Sequence, residues 1–270
     1  TDGMEIMLSH RHTVGEVTYS ISANMNFART KTIYEERAPY RSSWDRYRNG
    51  TVGRWQGINW LYNVVGRYQN FDEIATAPVN STQAGNSFLL PGDYVYEDWN
   101  EDGIIDSKDM QPLRWEGSPK LYYGLTFNLW WKGLDVSLLF QGSALSSVKY
   151  SEVLGQVLTF NGNSPAFYYD RWHRADPYDE NSEWIAGYWP STRQGVTNTY
   201  TQTDANTFTR RSSSYLRLKT LEVGYTFNTR ALDKAGIRNI RVYLSGFNLF
   251  VICDDYMRYF DPEISDNGGL

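Results

Sequence analysis

Apolar and polar residues alternate along six segments of this chain, and this period of two constrains the fold more than any other feature. In residues 16–28 the apolar series is Val17, Tyr19, Ile21, Ala23, Met25 and Phe27, and the polar residues between them are Thr18, Ser20, Ser22, Asn24 and Asn26. Such alternation is typical of a strand with one apolar and one polar face. The pattern predicts strands at about 4–11, 16–28, 121–131, 134–142, 214–227 and 239–250.

The links between these segments alternate between short and long. Short links lie at 13–15, 132–133 and 228–238, and long ones at 31–119, 147–213 and 251–270. An outer-membrane barrel keeps this order because its periplasmic turns are short and its extracellular loops are long. The fold expected is therefore all-β, an antiparallel transmembrane β-barrel segment with long extracellular loops. Bacterial barrels start at ~8 strands, so six strands would form part of a larger wall.

Composition agrees with a barrel and argues against some other classes. Aromatic residues make up 16% of the 270 residues, and no apolar run approaches the ~20 residues that a membrane helix needs. The formal net charge of −5 gives no sign of a nucleic-acid binder. The single cysteine, Cys253, cannot form a disulfide within the chain. The chain opens without a leader peptide, and we expect both of its ends to be cuts.

An Asp-rich stretch between residues 98 and 109 matches a calcium-binding loop. Oxygen ligands at loop positions 1, 3, 5, 7, 9 and 12 would be Asp98, Asn100, Asp102, the Ile104 carbonyl, Asp106 and Asp109. Gly103, at position 6, permits the sharp turn that such loops require. Position 12 departs from an EF-hand, which has Glu there. The alternative is a turn of Asp, Asn and Gly without metal; a bound calcium would be a structural brace.

The long segment 147–213 is rich in aromatic side chains. Four of them are candidates to stack on a ligand: Trp172, Trp184, Tyr188 and Trp189. The alternative is that these rings form the small core that a 67-residue loop needs to stay folded.

Pairs of acidic residues are the other candidates for a functional site. Glu97 with Asp98, Asp179 with Glu180, and Asp261 with Glu263 are neighbouring carboxyl groups, as in a glycoside hydrolase. Nothing in their spacing separates a catalytic pair from surface charge, so we do not expect an enzyme.

Several phrases occur in an order that resembles a known family. They are Leu90-Pro91-Gly92-Asp93-Tyr94, Tyr123-Gly124-Leu125, Lys132-Gly133-Leu134-Asp135, Phe140-Gln141-Gly142, Asp170-Arg171-Trp172, Ser214-Tyr215-Leu216-Arg217-Leu218-Lys219-Thr220-Leu221, Arg241-Val242-Tyr243-Leu244-Ser245-Gly246-Phe247-Asn248-Leu249-Phe250 and Asp261-Pro262-Glu263. Together they resemble the C-terminal third of the SusC/RagA-type TonB-dependent transporters of Bacteroidetes, over nearly the whole chain.

This resemblance implies a complete function. It implies a 22-stranded barrel in the bacterial outer membrane, in contact with lipid, a plug domain in its lumen and a SusD-like surface lipoprotein as a lid. Uptake of oligosaccharides, or of peptides, would be driven through TonB. The plug and the TonB-contacting segment are absent from this sequence, which also stops short of the family's last strands. The alternative is a soluble extracellular glycan-binding β-protein with a dockerin-like calcium loop, although a dockerin would have two such loops.

Overall fold

Six long strands form one antiparallel sheet, which we call the wall sheet. The computed structural model describes residues 1–81, 85–149, 163–192, 205–228, 232, 236–259 and 261–263. Its strands are β1 (Asp2–Val14), β2 (Val17–Arg29), β3 (Ile58–Tyr62), β4 (Val64–Arg67), β5 (Val79–Asn80), β6 (Tyr94–Tyr96), β7 (Ile104–Ile105), β8 (Met110–Trp115), β9 (Leu121–Trp131), β10 (Leu134–Ala144), β11 (Ser147–Lys149), β12 (His173–Arg174), β13 (Trp184–Ile185), β14 (Arg210–Ser212), β15 (Tyr215–Phe227) and β16 (Ile240–Cys253). The wall sheet has the order β1-β2-β9-β10-β15-β16.

Helices are short and lie between the long strands. They are α1 (Ser43–Asn49) and α2 (Phe71–Thr76), with 3-10 turns at Ser107–Asp109, Ala166–Tyr169 and Asp255–Tyr259. Each α-helix begins at a polar cap: the side chains of Ser42 and Asn70 accept hydrogen bonds from backbone N–H groups three residues on. Among the described residues, no helix is long and apolar enough to cross a membrane.

Two tight turns set the register of the hairpins in the wall sheet. Val14 pairs with Val17, so the first turn consists of Gly15 and Glu16 and not of the predicted 13–15. The backbone pairing continues past the apolar series, and β1 is therefore longer than the predicted 4–11. The second turn is Lys132-Gly133, with φ values of +48° and +91°. Positive φ at both central residues gives the twist that a two-residue hairpin requires.

One face of the wall sheet is apolar across all six strands. The pairing places Tyr19, Leu129, Val136, Val223 and Leu244 in a single row. Leu8, Ile21, Leu125, Val223 and Leu244 of this face are all more than a third exposed. His10 and His12 also lie on it, near the first turn, in ring contact with Tyr19. An antiparallel sheet that exposes such a face needs an apolar environment to cover it.

The opposite face of the wall sheet is polar. Asn128 donates to the Ser20 hydroxyl at 3.2 Å, and the hydroxyls of Ser9 and Ser22 are 2.8 Å apart. Near the turn ends, Arg241 of β16 forms ion pairs with both Asp135 and Glu222. Arg241 thus offsets part of the carboxylate charge on the face opposite to the apolar one.

The described residues divide into two compact units. One contains the wall sheet and residues 1–57. The other, which we call the loop unit, comprises 58–116 and the described residues of 148–211. The predicted long loops are therefore not plain loops: the loop unit contains the two-stranded sheets β3-β8, β4-β6, β5-β7 and β12-β13. Of the predicted outer loops, 82–84, 150–162, 193–204, 260 and 264–270 lie outside the described residues.

An ionic clamp ties the segment after β16 to β15. The Arg217 side chain is only 8% exposed, and its Nη2 donates to Asp261 Oδ1 at 2.6 Å. Arg217 Nη1 lies 3.2 Å from Glu263 Oε1, which also accepts from Lys219 Nζ at 2.9 Å. Burial raises the pKa of Asp261, but the hydrogen bonds from Arg217 and from Glu263 N, together with the charges of Arg217 and Lys219, outweigh it, and the pKa lies below its usual value. The clamp joins two phrases of the family resemblance, Leu216-Arg217-Leu218-Lys219 and Asp261-Pro262-Glu263.

We predict that Asp261→Asn weakens this clamp by about 1 kcal/mol, because a charge-assisted pair becomes a neutral hydrogen bond in a half-exposed site. In the unsubstituted protein the contribution is present above the ordinary carboxyl pKa and is lost as the pH falls through the lowered value. Hydrogen exchange of residues 255–259, corrected for the intrinsic effect of pH, measures both the effect of the substitution and the loss of stability at low pH. Glu5→Gln, outside the clamp, is the control. Equal exchange in the two variants would contradict the prediction.

Candidate functional site

The phrase Leu90-Pro91-Gly92-Asp93 forms a tight turn inside the loop unit. Gly92 has a φ of +89°, and a Cβ at this position would lie 2.3 Å from Cβ of Trp172. Gly92 N donates to the Tyr68 carbonyl at 2.8 Å, and Tyr68 N donates to the Asp93 carbonyl at 3.1 Å. Asp93 is fully buried, and its Oδ2 accepts from Leu90 N at 2.8 Å. Only glycine fits against the indole here, so this phrase is a docking point for Trp172.

Two of the four aromatic residues predicted to bind a ligand are buried. Trp172 and Trp189 are each 5% exposed, and Trp189 packs on Tyr168 with ring centroids 4.7 Å apart. The structure thus places Trp172 and Trp189 in the core of the loop unit, where little of either ring is accessible, and their role in ligand binding stays a prediction. Packing in a core is the alternative that the loop length suggested.

The other two aromatic candidates keep accessible surface. Tyr188 is 45% exposed, although its ring also contacts Trp189 and Phe208. Trp184 is half-buried on β13, beside the guanidinium of Arg174. Among the described ring contacts, none joins Trp184 to Tyr188. The role of these two residues in ligand binding stays a prediction.

A tyrosine cluster forms a second part of the loop core, which the sequence did not reveal. Tyr62, Tyr94 and Tyr96 are buried together with Ile105. Burial raises the pKa of Tyr94 to about 12, so this hydroxyl stays protonated at neutral pH. The guanidinium of Arg67 lies over the Tyr94 ring at 4.1 Å. The cluster gives the loop unit a core of its own, built from side chains that alternate on short strands.

The predicted calcium loop is held together by hydrogen bonds to its own backbone. Asp98 Oδ2 accepts from Gly103 N at 2.8 Å, and Asp102 Oδ1 accepts from Ile104 N at 2.9 Å. Asp109 is fully buried; its carboxylate accepts from Trp99 N and from Asp106 N. Burial raises the pKa of Asp109, an effect that the backbone hydrogen bonds offset in part. The turn of Asp, Asn and Gly is therefore fully formed by these bonds.

A lysine ammonium lies between two of the predicted calcium ligands. Lys108 Nζ is 3.2 Å from Asp102 Oδ2 and 3.3 Å from Asp106 Oδ2. Its hydrogen bonds to Asp102 and Asp106 raise the pKa of Lys108. Asp98 and Asn100 converge on one N–H, that of Asp102, each at 3.2 Å. Within the described residues, no group of three or more His, Cys, Asp or Glu side chains is arranged to hold a metal ion. The donor chemistry suits calcium, but the oxygens would have to move to form its shell.

The acidic pairs have structural partners. Glu97 accepts from Asn63 at 2.8 Å and from Gln111 at 2.7 Å, and these bonds lower its pKa. A general acid needs the opposite shift. Asp179 caps a turn by accepting from Asn181 N, and the third pair, Asp261 with Glu263, belongs to the ionic clamp.

Comparisons with known proteins give consistent results. No family model matches the sequence. The chain is similar to TonB-dependent receptor P26 of Formosa agariphila, at 29% identity over 208 residues (76% of this chain and 19% of that protein). It is also similar to TonB-dependent receptor P3 of the same organism, at 30% identity over 200 residues (72% and 17%). The chain thus spans less than a fifth of the length of these curated relatives.

Solved structures show the same fold. The RagAB peptide transporter matches with a TM-score of 0.61 at 15% identity, covering 98% of this chain and 26% of that one. The RagAB peptide importer matches in its open-open state with a TM-score of 0.58 and in its closed-closed state with 0.59, at 15% and 16% identity and 26% and 27% coverage of those chains. The prediction of an antiparallel barrel segment is confirmed by this likeness.

We predict that Gly92→Ala loosens the loop unit by about 2–4 kcal/mol, because a Cβ would overlap Trp172 on a backbone with positive φ. Hydrogen exchange of residues 88–93 in the intact protein measures the free energy of opening. Gly66→Ala is the matched control, since a Cβ there meets nothing within 4 Å. The docking of Trp172 on Gly92 would be refuted if both variants exchanged at the same rate.

Proposed function

We propose that this chain, which belongs to the SusC/RagA-type TonB-dependent receptors, forms part of the wall and outer loops of an outer-membrane importer. Its cargo is an oligosaccharide or a peptide. The cargo is bound at the outer surface, and passage is gated by a plug and powered through TonB. The relatives are named as receptors and the similar structures as a peptide importer, which supports transport without covalent chemistry.

The apolar face of the wall sheet is the observation that carries this proposal. Leu8 is 67% exposed, Leu244 is 79% exposed and Val242 is 60% exposed, and all three lie on that face. Each Å² of such surface taken out of water contributes roughly 25 cal/mol. Lipid hydrocarbon covers an entire sheet face of this kind without a second sheet.

The polar face of the same sheet would line the interior. The ion pairs of Arg241 with Asp135 and Glu222 lie on it. A charge facing hydrocarbon near the bilayer centre costs about 2–4 kcal/mol, whereas paired charges beside water or protein do not carry that penalty. The two faces thus suit a barrel wall, with lipid outside and a hydrated or plug-filled lumen inside.

A SusD-like surface lipoprotein is the partner we propose at the outer loops. Tyr169 and Tyr178 of the loop unit are 84% and 95% exposed. Tyrosine is enriched in protein interfaces and on sugar-binding surfaces because it offers both a flat apolar ring and a hydroxyl. These residues support a lid contact or a contact with cargo at the outer end.

The soluble glycan-binding alternative would need a different cover for the sheet. A soluble β-protein buries one face of each sheet against a second layer. In the described part of the chain, the apolar residues of the wall sheet named above remain exposed. This exposure favours the membrane wall.

Calcium is part of the proposal for the loop of residues 98–109. Asp98, Asn100, Asp102, Asp106, Asp109 and the Ile104 carbonyl would hold the ion, which would brace the turn. The ammonium of Lys108 occupies the space between Asp102 and Asp106. Calcium would therefore displace Lys108, and the two cations compete for the same carboxylates.

We predict that Leu125→Lys, near the middle of β9 on the apolar face, destabilises the folded protein in membranes by about 2–4 kcal/mol. Thr126→Lys places the same charge on the neighbouring polar position and should cost much less. Two measurements compare the variants: the amount of heat-modifiable protein in the outer membrane, and the urea concentration at the midpoint of unfolding in lipid vesicles. Equal effects of the two variants, or a full-length protein that stays monomeric without detergent, would contradict the assignment of this sheet to a membrane wall.

We predict that calcium protects residues 98–109 of the full-length protein from proteolysis and that a chelator reverses this. Asp98→Asn should remove the effect because a ligand charge is lost, and Lys108→Met should lower the calcium concentration required because the competing ammonium is gone. Glu101→Gln is the control, since Glu101 is in the loop but is not a predicted ligand. Cleavage that ignores calcium in the unsubstituted protein would mean that the loop is a metal-free turn.

A further inference from the structure

The loop unit contains a small open cavity that the proposed wall and lid do not explain. Its volume is about 310 Å³, at the lower end of the roughly 300–1,000 Å³ of small-ligand pockets. Three separate stretches of the chain line it: the β3-β4 connection, strand β8, and residues 207–211. Stretches far apart in sequence thus form one concave surface.

Part of the cavity wall is apolar and rigid. Val64, Leu113 and Phe208 provide this part. The Phe208 ring is fixed from behind by Tyr94, with centroids 5.4 Å apart, and by Trp189, at 5.6 Å. A wall supported by the loop core needs little ordering when a ligand binds, which lowers the entropic cost of binding.

The charged part of the cavity is purely basic. Arg114 and Arg211 line it, and none of the lining residues that the structure describes is acidic. The whole chain carries 31 acidic and 26 basic residues, so a lining with two arginines runs against the overall balance. Arg114 is exposed on β8. Guanidinium groups recognise carboxylates by paired, charge-assisted hydrogen bonds.

Neutral polar groups complete the cavity. Asn63 uses its amide nitrogen to donate to Glu97 at 2.8 Å, which leaves its amide oxygen to accept from a ligand. The Thr207 hydroxyl oxygen accepts from Val64 N at 3.0 Å and keeps its proton for donation. A ligand would thus meet one acceptor and one donor beside the two guanidinium groups.

We propose that this cavity binds the carboxylate of a ligand whose body has an apolar face, with Arg114 as the main charge partner. The C-terminal residue of a peptide and a uronic acid unit of an oligosaccharide share this chemistry. The carboxylate pairs with Arg114 and Arg211, and the apolar face rests on Phe208 and Leu113. The inference builds on the proposed transport function, because it specifies the charged end of the cargo.

The test compares acid and neutral probes on the full-length protein in detergent. The pairs are N-acetyl-leucine with its amide, and methyl glucuronide with methyl glucoside, each titrated calorimetrically. We expect an acid to bind at least roughly tenfold more tightly than its neutral partner. Preference for N-acetyl-leucine alone supports a peptide source, and preference for the glucuronide alone supports a sugar source. Equal affinities within both pairs overturn the proposal.

Variants assign the preference to the cavity. Arg114→Gln should remove most of it, and Arg114→Lys should restore part of it. Arg46→Gln, an exposed arginine of α1 outside the cavity, should leave it unchanged. A preference that survives Arg114→Gln places the carboxylate elsewhere and overturns the assignment. Membrane insertion, tested by Leu125→Lys, does not involve Arg114, so failure here is distinct from failure of the transport function.

Discussion

The chain depends on one constraint: every long strand has side chains that require hydrocarbon on one face and water or protein on the other. The row from Tyr19 through Val136 to Leu244 extends this requirement over five neighbouring strands. Because the side-chain period is two, a slip of one residue would move charged residues such as Arg241 to the apolar face. The short turns at Gly15-Glu16 and Lys132-Gly133 fix the register and so preserve the separation of the two faces.

The loop unit is held together by close packing of aromatic rings, whereas the wall sheet depends on the alternation of apolar and polar residues. Gly92 meets Trp172 eighty residues later in the chain, and Asp93 lies 3.4 Å from the Ser191 hydroxyl. These contacts join segments that lie on either side of strands β6 to β11 in the chain. A long excursion from a barrel stays folded only if it buries a core, and rings of tyrosine and tryptophan bury more area per residue than aliphatic side chains.

The sequence predicted the wall better than the loops, for a physical reason. Strand period is a local property, so residues 121–131 were sufficient to predict the strand that the structure has as Leu121–Trp131. Burial in the loop unit depends on distant partners, which is why Trp172 and Trp189 looked like exposed stacking faces. The cation–π contact of Arg67 with Tyr94, 27 residues apart, also carries no local signal. Two phrases of the family resemblance do meet in one distant contact. The glycine in Leu90-Pro91-Gly92-Asp93 packs against the tryptophan in Asp170-Arg171-Trp172.

Phe208 belongs both to the core of the loop unit and to the cavity proposed to bind a ligand. Its ring contacts Tyr94, Tyr188 and Trp189, and it also lines the cavity with Arg114. Strand β8 carries Arg114 and pairs with β3, whose Leu61 and Tyr62 are buried. The cation is therefore placed by a paired strand and the apolar wall by a packed core, although both lie in what the sequence presents as loops. Under the proposed function, a loop unit with a core of its own can hold a ligand site whose geometry is set by local packing.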